Sequence, residues 1–327
     1  MALKDTDFMY SSAVIRSKEG TITFNEKINS YLNSKNISEL LDAVFPNSKI
    51  DTQTFSFDDE TEKIIEDAAE LIKKLSPEKE VFDFLFYEYD CCNIKTIIKC
   101  NQRNIPFDNM LFRFGTVCTD VLEECFKERK YDRLPKNMSL AIEEAIKTYS
   151  QTNDPKYIDF IIDKACFEDM KENISKSKVG LFRELVKSKA DFTNILSFER
   201  INRSEITDKK GVFSNAFVCG GEVPLKDFVL YYDGKVNGLG DVLFGTKYKE
   251  IVVKAGDDFD LSEIELPFDQ MYLSIIKNVK FIPFGAEVLC SYFLDKVYEV
   301  KNIRVIYTGL KTGTTKEEMR KRVRLYE

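Results

Sequence analysis

The groups whose spacing repeats in this 327-residue chain are carboxylates and amides. Three segments carry an acid, two intervening residues and then Asn-Ile: Asp90/Asn93/Ile94, Asp191/Asn194/Ile195 and Glu299/Asn302/Ile303. Residues three apart share a helical face, so each pair can bond internally or reach an adjoining backbone. One reading makes the pairs buried polar clamps that fix helix packing, since buried polar groups need partners. The other makes them a charged interior surface that grips a partner. The clamp is preferred, because asparagine inside a helix carries a modest cost and its repetition implies a repeated packing need.

Other chemistry finds little support. Histidine is absent, which removes the usual general base and the commonest zinc ligand and excludes Ser-His, Cys-His and His-zinc sites within this chain. Carboxylates are plentiful, but no spacing singles out an acid–base pair. The eight cysteines form no CxxC pair and mostly sit among apolar neighbours, as reduced core thiols do. Gly115-Thr116, Gly220-Gly221 and Gly238-Leu239-Gly240 are read as turns, because no strand precedes them and no Lys-Ser/Thr follows. No catalytic, cofactor-binding or metal-binding residue is assigned. The cluster Lys316, Arg320, Lys321, Arg322 and Arg324 stays open between an acidic partner and the complement of a helix dipole.

The elements that must position the repeated pairs are helices. Ile64, Ile65, Ala68, Leu71, Ile72 and Leu75 recur at three-and-four spacing between Thr61 and Leu75, and strand-like alternation is hard to find. Thr23-x-x-Glu26 and Thr315-x-x-Glu318 have the form of capping boxes. Ser76-Pro77 and Asp154-Pro155 place a capping side chain before a proline at a helix start. All eight prolines fit helix starts or connections, and about a dozen or more helices are expected.

Sliding the chain on itself extends the repeat. The windows 81–97, 182–198 and 290–306 align without gaps at separations of 101 and 108 residues. Phe84, Leu185 and Phe293 match six residues before the acid, Leu85, Val186 and Leu294 five before, and Ile97, Phe198 and Ile306 seven after. Such offsets predict helices buried around much of their circumference. The residue after Asn-Ile is Lys95 or Arg304 in two copies and Leu196 in the middle one. A second landmark, Leu111 to Thr116, is echoed 105 residues later by Ala216 to Gly221, with a short helix expected after each, over 121–126 and 226–231. The repeat predicts three all-α subdomains, over 1–108, 109–212 and 213–327, with pseudo-threefold symmetry.

Size and charge bound the partners. A chain of this length with 43% hydrophobic residues can bury a substantial core. Its net charge of −7 argues against nucleic acid or anionic lipid as the main partner. The longest apolar stretches are broken by Asp83 and Glu287, so none approaches the roughly 18 residues of a membrane span. The first 25 residues carry six charges and no apolar block, unlike a secretory signal. Cytoplasmic residence is the expectation.

Together these segments resemble the C subunit of archaeal and bacterial V/A-type ATPases, a family related to the d subunit of eukaryotic vacuolar ATPases. The resemblance is carried by Tyr89-Asp90-Cys91-Cys92-Asn93-Ile94-Lys95-Thr96-Ile97-Ile98-Lys99, by Phe114-Gly115-Thr116-Val117 with Lys130-Tyr131-Asp132-Arg133-Leu134-Pro135, by Cys219-Gly220-Gly221-Glu222-Val223-Pro224-Leu225, and by Glu299-Val300-Lys301-Asn302-Ile303-Arg304-Val305-Ile306. It covers nearly the whole chain and is weakest over Val44 to Asp59. The resemblance implies a funnel of three helical subdomains, with the central stalk of D and F subunits in its open top and the proteolipid ring beneath its base. It implies a mechanical role without chemistry, at the cytoplasmic face of a membrane-bound complex. The competing reading from residues alone is a helical-repeat scaffold or adaptor unrelated to ATPases; an enzyme built on a carboxylate pair ranks third.

Overall fold

A computed structural model describes residues 3–46, 55–107, 109–255 and 261–326. Among these residues the fold is all-α, without a strand, and residues 47–54 within the stretch from Val44 to Asp59 lie outside them. Sixteen α-helices are present among the described residues. The first four are α1 (Met9–Glu19), α2 (Phe24–Leu32), α3 (Ile37–Val44) and α4 (Phe57–Leu75). There follow α5 (Asp83–Arg103), α6 (Thr119–Glu128), α7 (Lys136–Thr152), α8 (Lys156–Ser175), α9 (Gly180–Arg203), α10 (Lys209–Ala216), α11 (Leu225–Tyr232), α12 (Leu239–Val242) and α13 (Lys249–Ala255). The chain finishes in α14 (Leu261–Ile276), α15 (Ala286–Thr312) and α16 (Lys316–Arg320).

These helices form two compact units, one of Met1–Pro77 with Glu265–Glu327 and one of Glu78–Ile264. The repeated motif is distributed over both. Its first two copies lie on α5 and α9 in the second unit, and its third lies on α15 in the first.

In the first unit α15 is the central helix, packed by α1, α2, α3 and α4. Ile303 and Ile306 meet Ile28, Leu32 and Leu40 in one buried cluster, which Met319 and Val323 close from the α16 side. Phe57 at the start of α4 stacks on Tyr307, with ring centroids 3.7 Å apart. Both expected capping boxes form: the Thr23 N–H donates to Glu26 at 2.8 Å and the Thr315 N–H to Glu318 at 3.0 Å. Each satisfies donors that a helix start leaves orphaned.

In the second unit α5 packs on α8, α8 on α7, and α9 on α10 and α8. Phe198 of α9 anchors an aromatic cluster with Phe213, Phe228, Tyr231 and Tyr232, at centroid separations of 5.1 to 5.5 Å. The short helices expected after the second landmark are α6 and α11.

Two expectations fail. Ser76-Pro77 does not open a helix: Ser76 is the C-cap of α4 and the next helical turn begins at Lys79, behind Glu78. Pro267 lies inside α14 rather than at a helix start or in a connection. It sits in the second turn, where the missing N–H removes one intrahelical bond, and neighbouring packing carries the loss: Ile264 and Phe268 on either side of it are buried.

Candidate functional site

The nine apolar residues matched at equal offsets, from Phe84 to Ile306, are all buried. This burial leaves each acid and asparagine facing inward, where polar groups cost free energy unless bonded. Asp90, Asn93, Asp191, Asn194 and Asn302 are 0% exposed and Glu299 4%.

Each asparagine solves the problem in one way. The amide of Asn93 donates to the Phe112 carbonyl and accepts the Phe112 N–H, both at 2.8 Å. Asn194 does the same with Val218, at 2.9 and 2.8 Å, and Asn302 with Arg324, at 2.7 Å in both directions. The side-chain amide thus pairs with a backbone peptide as a neighbouring strand would. The landing residue lies 19, 24 or 22 positions downstream.

The acids grip the same loops. Asp90 accepts from the Thr116 N–H at 2.9 Å, the Thr116 hydroxyl and the Val117 N–H at 3.3 Å. Asp191 accepts from the Glu222 and Val223 N–H groups, each at 2.9 Å, and from the Tyr248 hydroxyl at 2.8 Å. Burial pushes the Asp191 carboxyl above its ordinary range, against the backbone donors and Tyr248, which favour its charged form. The glycine turns therefore do cradle an anion, and that anion is the protein's own carboxylate. Two successive backbone N–H groups converge on it just before α6 and α11 begin, the arrangement by which turns and helix starts bind anions.

Gly115 and Gly221 are what allow the approach. A Cβ on either would sit on the Asp90 or Asp191 carboxylate. Gly220, the residue aligned with Gly115 in the sequence, has open space around its Cβ position and a φ of +99°. Its task is the backbone turn, and the contact belongs to the next residue. Landing residues, glycines and N–H donors all correspond at a spacing of 106 rather than 105.

The third copy departs from this pattern. Glu299 accepts from the Tyr31 hydroxyl at 3.1 Å and pairs with Lys27 at 2.6 Å and Lys296 at 2.9 Å. Burial opposes its charge, but Lys296 and Lys27 outweigh burial and hold the carboxyl below its usual range. Tyr31 is pushed above its ordinary value by burial and by the Glu299 charge. The residue after Asn-Ile follows its surroundings: Lys95 pairs with Asp163 of α8 at 2.6 Å, Arg304 lies 3.8 Å from Asp58 and Glu62 of α4, and Leu196 is buried.

Several partners had no local signal. Tyr248 reaches Asp191 across 57 positions and Tyr31 reaches Glu299 across 268. Asn25 repeats the amide clamp on Tyr326, at 2.7 and 2.9 Å. Asp169 caps the start of α7 through the Asn137 and Met138 N–H groups at 2.9 and 3.0 Å. No helix among the described residues is long and apolar enough to cross a membrane.

Fold and site together define a helical protein whose repeated polar groups are spent on holding its own loops. The model of the ATP synthase (C/AC39) subunit family matches residues 12–322, and the chain belongs to that family. Among its relatives are the A-type ATP synthase C subunit of Methanocaldococcus jannaschii, 22% identical over 98% of this chain and 87% of the relative, and that of Pyrococcus abyssi, 21% identical over 98% and 91%. The V-type sodium ATPase C subunit of Enterococcus hirae is 20% identical over 77% of each chain.

Proposed function

We propose that this chain is a non-catalytic central-rotor subunit of a V/A-type rotary ATPase. It acts as a socket that links the central stalk, made of the D and F subunits, to the membrane proteolipid ring at the cytoplasmic face. In this way it couples ATP hydrolysis or synthesis to proton or sodium transport. The observation that carries the reading is the family match over residues 12–322. The clamps are consistent with it: a part that passes torque between an axle and a ring must resist deformation, and densely packed helices with loops bonded to their sides are stiff. In this reading the thirds 1–108, 109–212 and 213–327, each holding one copy of the motif, surround the axle as a pseudo-threefold funnel.

Depletion tests the proposal. Membranes lacking this chain should retain ATP hydrolysis by the catalytic head and lose ion pumping, and adding the chain back should restore pumping. The purified chain should hold the stalk subunits through an interface above roughly 1,200 Å². Pumping that survives complete depletion would overturn the socket.

A further inference from the structure

The helix pair α5 and α8 carries side-chain chemistry that the clamps do not use. The two helices run antiparallel, because their contacts retreat along α8 as they advance along α5. The Asn173 amide donates to the Glu80 carbonyl just before α5, at 2.8 Å. The Cys166 thiol donates to the Tyr87 carbonyl at 3.4 Å and the Cys91 thiol to the Asp163 carboxylate at 3.1 Å. Lys99 then pairs with Asp159 at 2.5 Å. Cys91 thus lands one turn before Cys166 on α8, and Cys166 lands one turn before Cys91 on α5. The two buried cysteines face each other across the helix pair, with their thiols in hydrogen-bonding contact, and both are free.

Charged groups surround the thiols. Asp163 also accepts from Lys95 at 2.6 Å, and Glu88 of α5 pairs with Lys189 of α9. The Asp163 and Lys95 side chains are 33% and 18% exposed, so a solute close to water in size reaches the carboxylate that holds the Cys91 proton. The Cys166 contact, burial and the Asp163 charge push the Cys91 thiol well above its ordinary range. At Cys166 the contact with Cys91 lowers the thiol, but burial and the Asp163 and Glu88 charges outweigh it and the net shift is upward. Both thiols are therefore protonated at neutral pH. Oxidation has to begin with a proton transfer, and Asp163 is the acceptor in place.

We infer that Cys91 and Cys166 form a peroxide-responsive dithiol that closes to a disulfide and staples α5 to α8. Asp163 takes the Cys91 proton, and the thiolate attacks one oxygen of hydrogen peroxide. The O–O bond breaks, the departing hydroxide takes the proton back from Asp163 and leaves as water, and Cys91 becomes a sulfenic acid. The Cys166 sulfur then attacks the Cys91 sulfur, the S–O bond breaks, and hydroxide leaves with the Cys166 proton as a second water. Two thiols are oxidised to one disulfide, and one peroxide is reduced to two waters. The inference does not depend on the socket, since every group lies within one unit.

The full chain is treated with millimolar hydrogen peroxide at pH 7 and pH 8, quenched with catalase, and mapped by mass spectrometry of its unreduced peptides. The Cys91 and Cys166 peptides should be joined, with the loss of two hydrogens, and should separate on reduction with dithiothreitol. The bridge should form about tenfold faster at pH 8, because the thiolate fraction rises tenfold per pH unit below the thiol pKa. The oxidised chain should melt about 5–10 °C above the reduced one, since the bridge closes a long loop in the unfolded chain. Cys118→Ser, at an exposed cysteine, should leave bridge and shift unchanged, whereas Cys91→Ser and Cys166→Ser should each abolish both. If the serine variants at Cys91 and Cys166 do not fold, the peptide map of the parent decides. Peroxide that leaves both thiols reduced in the folded chain, a Cys91 that proceeds to sulfinic acid instead, or a bridge from either cysteine to a third one overturns the pair.

Discussion

Asn194→Ala removes both halves of one amide clamp at a site where water cannot take over. The Val218 N–H and carbonyl, bonded to Asn194 at 2.8 and 2.9 Å, both lose their partner, and both Asn194 and Val218 are 0% exposed. A buried backbone group left unsatisfied costs about 1–3 kcal/mol, so the second unit should lose about 3 kcal/mol. That is a large share of the 5–15 kcal/mol typical of a folded protein. Asn194→Asp separates geometry from volume. An ionised aspartate still accepts from the Val218 N–H but turns its second oxygen toward the Val218 carbonyl, with Asp191 one turn away. Once protonated, it can donate to that carbonyl. Its folded pKa must therefore be raised above the unfolded value, so its stability is greatest at low pH and is lost as pH rises through the folded pKa. Urea unfolding followed by circular dichroism at pH 5 and pH 8, with hydrogen exchange of the 218–223 segment, reads both effects. Asn194→Asp should recover stability at the lower pH relative to Asn194→Ala. A loss below about 0.5 kcal/mol in the alanine variant, or an equal pH response of the two variants, would refute the clamp as the reason for the buried asparagine.

Gly221→Ala should destabilise by about 2–4 kcal/mol, since the new Cβ meets a buried, fully bonded carboxylate. Gly180→Ala, at the first position of α9 with open space around it, should be neutral or stabilise by up to about 1 kcal/mol; chemical denaturation compares the two. Asp295, hydrogen-bonded by the Tyr326 hydroxyl, is pushed up to about 7 by burial, with Glu19 and Glu299 adding to the effect and Tyr326 and Lys296 opposing it. Its contribution is complete below the ordinary value of 3.8 and is lost as pH rises through about 7. In denaturant titrations Asp295→Asn should then be more stable than the parent at pH 8, by about 2 kcal/mol after discounting for a half-buried group, and the gap should close by pH 4. The double variant Asp191→Ala with Asn194→Ala should cost less than the sum of its single changes, because both side chains hold one loop; double-mutant cycles measure this, and assembly should weaken only in step with the lost stability.

Much of the fold was legible because helices announce themselves locally. Ile65, Ala68 and Ile72 recur at helical spacing and are the buried face of α4, and Thr23 and Thr315 begin α2 and α16 as their capping sequences require. The nine apolar residues matched at three offsets pointed to buried helices because one sequence period maps onto one helical face. Pro267 was misplaced because proline's local rule is overridden where packing supplies what the backbone lacks. Tyr31 and Lys27 could not be read as partners of Glu299, since they lie on α2 and only folding brings α2 against α15.

The loop side of the repeat was visible only in two copies and one residue out of register, and the reason lies in what an amide recognises. Asn93, Asn194 and Asn302 each pair with a peptide group, and every residue except proline offers the same N–H and carbonyl. The landing residues are accordingly Phe112, Val218 and Arg324, which have no side-chain feature in common. The intervening lengths of 19, 24 and 22 also differ, because a clamp fixes where a loop returns and not the path by which it gets there. A reading by residue type must then rely on the glycines, whose spacing is ambiguous by one where Gly220 and Gly221 adjoin. Distance to the carboxylate removes the ambiguity, since only a glycine against Asp191 lets the Glu222 and Val223 N–H groups converge there. The same logic explains why Arg324 was read only as part of a basic cluster: its place in the clamp depends on its backbone alone, while its guanidinium independently bonds Asp269 at 2.9 Å. Clamps of this kind hold a helical repeat in register while leaving the loop surfaces unconstrained, and those surfaces are where copies with one architecture can differ in what they touch.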